Sequence, residues 1–521
     1  MLRHMGIACL LVATWITVAG AAWTPPIGIP EPPFGISEQA PAAPNPWTSE
    51  AAGFYYVDPA GCSSSRTYGR PGASRCSIPN PAPAGSVVFL NGTLTSNQSF
   101  TSNGTAGNPV FVTAYNTANK PTVTQGLQVA GSYAVIENLN LNPGGAGASE
   151  GTHHISFRHI DATGNINTGG MAFGSWSYSG SQSVSYVVVY DVKIHDAGDV
   201  QASSDADKHC ITVNGSVDHL WVLDSQLYRC GGDAIQLEAQ QGRRDKIHHV
   251  YYGRNIAHDN RQTGGWVKHA TDVVFSQNIG YNFRANSGGP GLCFGQQYGP
   301  ERVWYLFNEG YACNIGIGVS GNDPPGDGQY TYIYGNVIHD TASQSPGDAY
   351  NAGCIVLRGS TNIYVANNTC SNTDGGIMIP PGTGGTVYIW NNIIRRAAGT
   401  AGATYDVYKE GANPALDMKN NIFSSSPRLT DGGGSSYSTA DPQFISSADF
   451  HLSASSPAVD AGIVPQKILN DFQANYGMNI AYDKGGVSKP QGPAWDMGAY
   501  EYLGGVPGAS APSAPSGLRM N

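Results

Sequence analysis

The sequence predicts an all-β solenoid, a coil of short parallel strands that repeats for most of the chain. Three observations carry this reading. The first is composition: of 521 residues only 12% are charged, 10% are aromatic and 68 are glycine. Runs rich in Ala, Leu, Glu and Lys are scarce, so the chain reads as many short strands joined by Gly-, Asn- and Ser-rich turns. The second is a strand ending in Asn or Asp, at Asn138, Asp191, Asp224, Asn255, Asn278, Asn308, Asn336, Asn368, Asn392 and Asn421. From Asp191 the intervals are 33, 31, 23, 30, 28, 32, 24 and 29 residues, a solenoid period with a fixed turn residue. The third is a second strand per repeat whose alternate positions are apolar. Val213, Leu237, Val267, Phe294, Val319, Leu357 and Ile379 form a column that would fill the lumen of a coil.

Taken in order, Arg3 precedes the apolar run Met5–Val18 and the small-residue site Ala19-Gly20-Ala21. Residues 1–21 are read as a secretory signal peptide, too short in its apolar run for a membrane span. Residues 22–53 include eight prolines between Thr24 and Trp47 and are expected to form an extended linker. The solenoid is expected over 54–502, opening at Phe54–Asp58 and at the strand Ser86–Leu90. Residues 503–521, rich in Pro, Ser and Ala, read as a tail. The Asn column is structural: Asn tolerates left-handed backbone, bonds local main chain at a tight bend, and can bond the next Asn in a stack.

Cys9 leaves with the signal, and eight cysteines remain. Sequence leaves many connectivities open. If each repeat is one coil, Cys62/Cys76, Cys210/Cys230, Cys293/Cys313 and Cys354/Cys370 become neighbours, which favours four local bridges in an oxidising compartment, extracellular or periplasmic. The formal charge of −10 argues against a nucleic-acid partner. Arg243, Arg244, Lys246, Arg254, Arg261 and Lys268 nevertheless crowd one stretch, either a solvated face or a patch for an anionic ligand.

The coil repeats, the opening Tyr55-Tyr56-Val57-Asp58, the late Asp441-Pro442-Gln443-Phe444 with Ser456–Gly462, and the closing Asp496-Met497-Gly498-Ala499-Tyr500-Glu501-Tyr502 together resemble the right-handed parallel β-helix proteins of the pectin-lyase-like superfamily. The resemblance spans roughly Tyr55–Tyr502. It implies a right-handed parallel β-helix and an action on polysaccharides, by elimination or hydrolysis. In the lyase branch a Lys or Arg takes the C5 proton of a uronic acid, and calcium or basic side chains offset the carboxylate.

On that reading the candidate catalytic residues are Lys268, Glu238, Arg261 and Arg284. Ile235–Ala239 and Gly265–His269 are two copies of one strand pattern, with Leu237 and Val267 inward and Glu238 and Lys268 outward. Lys268 and Glu238 would also make a plain cross-strand ion pair. Lys268 resembles the lysine of chondroitinase B and related alginate lyases. Trp266 and Gly264 stand where those enzymes carry acidic residues, however, and no Arg-His-Gly follows in Asn286–Leu292. Trp266, Arg243, Arg244, Arg254 and His269 are candidates for substrate binding, Trp266 as an exposed platform for a sugar. Gly295 is expected beside Lys268, leaving a notch there. Asp205, Asp207 and Asp233 could hold calcium through oxygen, though Asp is also common in turns. His153-His154 and His248-His249 lack a third ligand by spacing and are not read as metal sites. The favoured function is a secreted polysaccharide lyase on an anionic glycan. A non-catalytic β-helix adhesin or glycan-binding protein is the alternative. A glycoside hydrolase, which needs paired carboxylates such as Glu238 with Asp233, is the third.

Overall fold

The computed structural model describes residues 23–504, apart from 166, 168, 177–181, 203–206, 286–288, 321–327, 342, 344–351, 398–404, 413, 425–426 and 431–436. The expected signal peptide, most of the tail and Asp205 lie outside the described residues.

The strands stack in parallel into sheets of 25 and 14 strands. The larger sheet has two limbs that meet at the long strand Leu127–Glu137, which pairs on both. Each coil therefore carries three strands, one in each of three faces. In one coil these are Ile211–Asn214 (face A), Val217–Leu223 (face B) and Gln226–Tyr228 (face C), each paired to its counterpart one coil on. This is a parallel β-helix, right-handed as parallel crossovers are. Its lumen is one continuous apolar core, running from Tyr55 to Phe423.

The turn between faces B and C uses two residues with separate tasks. The first takes left-handed backbone, with φ 48–59° at Asn138, Asp191, Asp224, Arg254, Gln277, Phe307, Asn367, Asn391 and Asn420. The second points inward and builds the ladder Asn255, Asn278, Asn308, Asn336, Asn368, Asn392 and Asn421. From Asn278 on, each Asn Oδ1 accepts from both the main-chain N–H and the Nδ2 of the Asn one coil earlier, at 2.8–3.1 Å. Ser225 begins this ladder, accepting from Val192 N and binding Asn255 Oδ1 through its own N–H. The single sequence column thus merges two: Asn138, Asp191 and Asp224 belong to the left-handed position. Where Phe307 fills that position, Gly335 on the next coil makes room, because a Cβ there would meet the ring at 2.6 Å.

All four expected disulfides are present, Cys62–Cys76, Cys210–Cys230, Cys293–Cys313 and Cys354–Cys370. The last three differ from expectation in geometry. Each joins face A to face C of the same coil, Cys230 and Cys313 just after the face C strand and Cys370 within it, so the bridge spans one turn rather than linking turns. Among the described residues no helix is long and apolar enough to cross a membrane.

The Pro-rich segment does not hang free as a linker. Ile29, Phe34 and Trp47 are buried against aromatic side chains of face B. Ser156 Oγ and Ser276 Oγ donate to the carbonyls of Gly35 and Ile27. Arg158, itself buried, donates to the carbonyls of Gly35 and Ile36. Proline removes few donors that this face could have satisfied, and polar side chains of the coils supply the rest. Later on face B, helix α1 (Gln466–Tyr476) lays Phe472 edge-on to Trp304 at 4.8 Å. The closing segment bonds to the turn and to face C, through Gly498 N to Asn391 O and Ala499 N to Thr369 Oγ1.

Candidate active-site cleft

Face A carries two outward columns. One runs Thr212, Gln236, Trp266, Gly295, Gly318, Val356 and Met378. The other pairs Asn214 with Glu238, Glu238 with Lys268 and Lys268 with Gln297, and continues through Ser320 to Arg358. A cleft of about 350 Å³ lies over them, lined by Trp266, Leu292, Ile315 and Val356 on an apolar side and by Lys268, Gln297, Tyr298, Ser320 and Arg358 on a polar side. Asp207, Gln262 and Thr263 close one end.

The register corrects two expectations. Gln296, not Phe294, is the inward partner of Val267, and Gly295 stands beside Trp266 rather than Lys268. Phe294 pairs onward with Ile317 and then Ile355, a separate inward column. Its ring occupies the space above Gly280, where a Cβ would meet it at 2.9 Å. Gln296 tolerates the lumen because its Nε2 donates to Thr331 Oγ1 at 3.1 Å. A slip of two residues keeps every side chain on its own face, so alternation alone does not reveal it.

Trp266 is not an exposed platform. It is 8% exposed, and its ring lies over Gly295, where a Cβ would meet Cζ3 at 2.4 Å. The notch therefore exists but holds Trp266, which forms an apolar floor with Leu292, Ile315, Val356 and Met378.

Lys268 lies on the cleft wall. Its Nζ donates to Glu238 Oε2 at 3.2 Å, both side chains being about one-sixth exposed, at 17% and 18%. It also stands over the Tyr298 ring, 5.8 Å from the centroid. His269 is buried and stacks on that same ring at 5.4 Å, so it supports Tyr298 rather than facing the cleft.

The remaining basic candidates are dispersed. Arg261 is buried; its Nε donates to Gly231 O at 2.7 Å, and its guanidinium pairs with Asp207. Arg254 is held by both oxygens of Asp224 and stacks on Trp23 at the B–C turn, away from face A. Arg244 donates to Gly299 O and pairs with Glu301, while Arg243 pairs with Asp245 on a loop between faces A and B. Arg284 is exposed on the loop from face C to face A, with its main chain against Gly291.

Two of the three aspartates expected to hold calcium, Asp207 and Asp233, already have partners. Asp233 is fully buried, and its carboxylate already accepts from Thr263 Oγ1 and Gln236 Nε2 and lies 3.3 Å from His209 Nδ1. Asp207 is neutralised by Arg261 and accepts from Gln262. A buried Asp233 also cannot face Glu238 across a glycosidic bond, so the carboxylate pair that a hydrolase needs is not formed by these two.

No family model matches the chain, and no curated protein matches it. Solved structures do. The lacto-N-biosidase of Eubacterium ramulus aligns at 14% identity and a TM-score of 0.48, over 71% of this chain and 67% of its own. Pectate lyase Pel9A aligns at 17% identity and 0.42, over 86% of this chain and 96% of its own. The periplasmic alginate epimerase AlgG aligns at 9% identity and 0.41, over 66% and 77%. At these identities and TM-scores the likenesses carry no inference about activity.

Proposed function

We propose that the chain is a secreted carbohydrate-active β-helix protein, a polysaccharide lyase that cleaves an anionic, uronate-containing glycan in the face A cleft. The observation that supports this most is the placing of Lys268 on the cleft wall, with its amine against Glu238 and over Tyr298. The apolar floor suits the C–H faces of a sugar, and the polar wall suits its hydroxyls and carboxylate. In the proposed step the Lys268 amine, in its neutral form, takes the C5 proton of the uronate. The C5–H electron pair forms the C4=C5 double bond, and the C4–O bond breaks toward the leaving sugar, whose oxygen takes up a proton. Arg358 lies three strands from Lys268, roughly 14 Å at ordinary strand spacing, so the two side chains address different sugars of one chain.

The test is a screen of the purified protein against pectate, alginate, glycosaminoglycans and bacterial exopolysaccharides, reading unsaturated product at about 235 nm. Lys268→Ala should lose turnover by several orders of magnitude with its melting temperature within a few degrees of wild type. EDTA should leave activity intact; loss restored by calcium would return Asp205 and its neighbours to a metal role. Binding without unsaturated product on any uronate polymer would favour the glycan-binding alternative, which the intact Lys268–Glu238 pair also accommodates.

A further inference from the structure

We propose that Asp218, His248 and His249 form a binding site for one divalent transition-metal ion, of the zinc class, on the outer surface of face B. This site is separate from the cleft and independent of the lyase reading.

The neighbouring strands Val217–Leu223 and Ile247–Gly253 pair Asp218 with His248. In a regular strand His248 and His249 would point to opposite faces. Here His249 has φ 55° and its lateral neighbour His219 has φ 58°. The ladder skips these positions, resuming at Leu220 with Val250. The left-handed residue is a kink that both strands share without a change of register, and it lets both histidines of the pair face outward while Val250 still reaches the lumen.

The donor atoms converge. His248 Nδ1 lies 2.8 Å from His249 Nδ1 and 3.1 Å from Asp218 Oδ1. One ligand atom from each residue falls within 4.8 Å of the others. Two ring nitrogens facing each other so closely need a proton or a cation between them. An ion with bonds of about 2.0–2.1 Å separates tetrahedral donors by roughly 3.3 Å, close to this spacing.

His219 hydrogen-bonds Asp218 through Nδ1 and stacks on the His249 ring at 4.5 Å, nearly parallel. Such a contact orients a ligating carboxylate and imidazole. Three protein donors leave a tetrahedral ion one position for water.

The molecule holds its own control. His153 and His154 repeat the arrangement, Nδ1 to Nδ1 at 3.0 Å, with His154 also left-handed at φ 55°. The lateral partners of His153 are Ser132 and Ser185. Among the described residues no carboxylate completes that pair into a ligand group.

The test uses tag-free full-length protein, stripped with chelator and desalted, and titrated with Zn²⁺ and Co²⁺ by calorimetry and visible absorption. The expected result is one equivalent of Co²⁺ with the d–d bands of a tetrahedral site. His249→Gln and Asp218→Asn should each abolish saturable binding, His219→Ala should weaken it roughly tenfold, and His153→Gln should change nothing. X-ray absorption at the zinc edge of the wild-type complex, which depends on no variant, should show two imidazoles and one carboxylate. No saturable binding by the folded wild-type protein would overturn the proposal. So would binding that survives in a folded His248→Gln/His249→Gln double variant, or a zinc-edge spectrum without imidazole.

Discussion

Asn308 stands in the middle of the ladder, and its replacement by Ala gives the sharpest test of what holds the coils in register. Its Oδ1 accepts from Asn278 N at 3.0 Å and Asn278 Nδ2 at 2.9 Å. Its Nδ2 donates to Phe275 O and to Asn336 Oδ1, both at 3.0 Å. Truncation orphans the N–H of Asn278 and one of its amide hydrogens, and takes a side-chain partner from the carbonyl of Phe275. Asn336 Oδ1 keeps a partner, because Ala at 308 retains the N–H that now reaches it at 2.8 Å. Both Asn278 donors are buried, where an unmet donor costs about 1–3 kcal/mol, so the variant should lose about 2–6 kcal/mol. Ser should cost less than Ala. At the head of the ladder Ser225 already shows how a hydroxyl serves: its Oγ accepts from Val192 N at 3.2 Å and donates to Leu223 O at 2.7 Å.

Two readouts apply. Urea denaturation gives the total loss, and hydrogen exchange gives its location, since a solenoid couples each coil mainly to its neighbours. The Asn278 amide should lose protection in Asn308→Ala while amides near Val135 keep theirs. A loss under about 1 kcal/mol, or Ala and Ser variants of equal stability, would refute the view that the ladder is a hydrogen-bonded spine.

Other outcomes follow from the same geometry. Leu237 is fully buried in the lumen, so Leu237→Asp should not fold; a soluble variant melting like wild type would invert the assigned faces. Arg158 donates to Glu137 through Nε at 2.8 Å and pairs with it through Nη2 at 2.7 Å; Arg158→Ala should cost about 3–5 kcal/mol by stranding that carboxylate and should open residues 35–38 to protease. For Glu309 burial alone would raise the pKa, but the hydrogen bond from His339 and the charge of Lys484 lower it from 4.5 to about 2. Its stabilisation, up to about 3 kcal/mol, is present above the unfolded value and lost as pH falls from 4.5 to about 2. Glu309→Gln should flatten that part of the acid-unfolding curve.

Much of this architecture was legible because a coil writes its geometry into the chain at one-coil intervals. Val213, Leu237 and Val267 alternate with polar neighbours, and the structure stacks them in that order. What escaped had physical causes. The two-residue slip at Phe294 leaves the period of two intact. The convergence of His248 and His249 escaped because strict alternation sends one histidine inward, and only a left-handed residue brings both out. The dispersal of the arginines escaped because residues close in sequence lie on different faces: Arg254 at the B–C turn, Arg261 beneath the C–A loop, Arg244 beside face B. The strap escaped because proline-rich composition reports the lack of regular hydrogen bonding, not the lack of packing.

That strap bears on where function can sit. A β-helix offers three outer faces, each with apolar side chains that need cover or a ligand. Face B is covered early by Ile29, Phe34 and Trp47 and late by α1, whose Ile468 and Phe472 are buried. On the late coils of face C, Val337 is covered by Phe450 and Ala499, and Ile393 and Ile422 by Leu452 and Met497. Neither covering segment contributes to the apolar strip on face A, which packs Trp266, Leu292, Ile315, Val356 and Met378 with Tyr405 and Tyr408. Small residues at Gly295 and Gly318 sink Trp266 and Leu292 into the sheet, and a cleft remains above them. The same strand that sinks Trp266 raises Lys268 on the next outward position. The covers thus leave, among the described residues, a grooved face with an apolar floor and a wall carrying Lys268 and Arg358, along which the proposed glycan chain would lie.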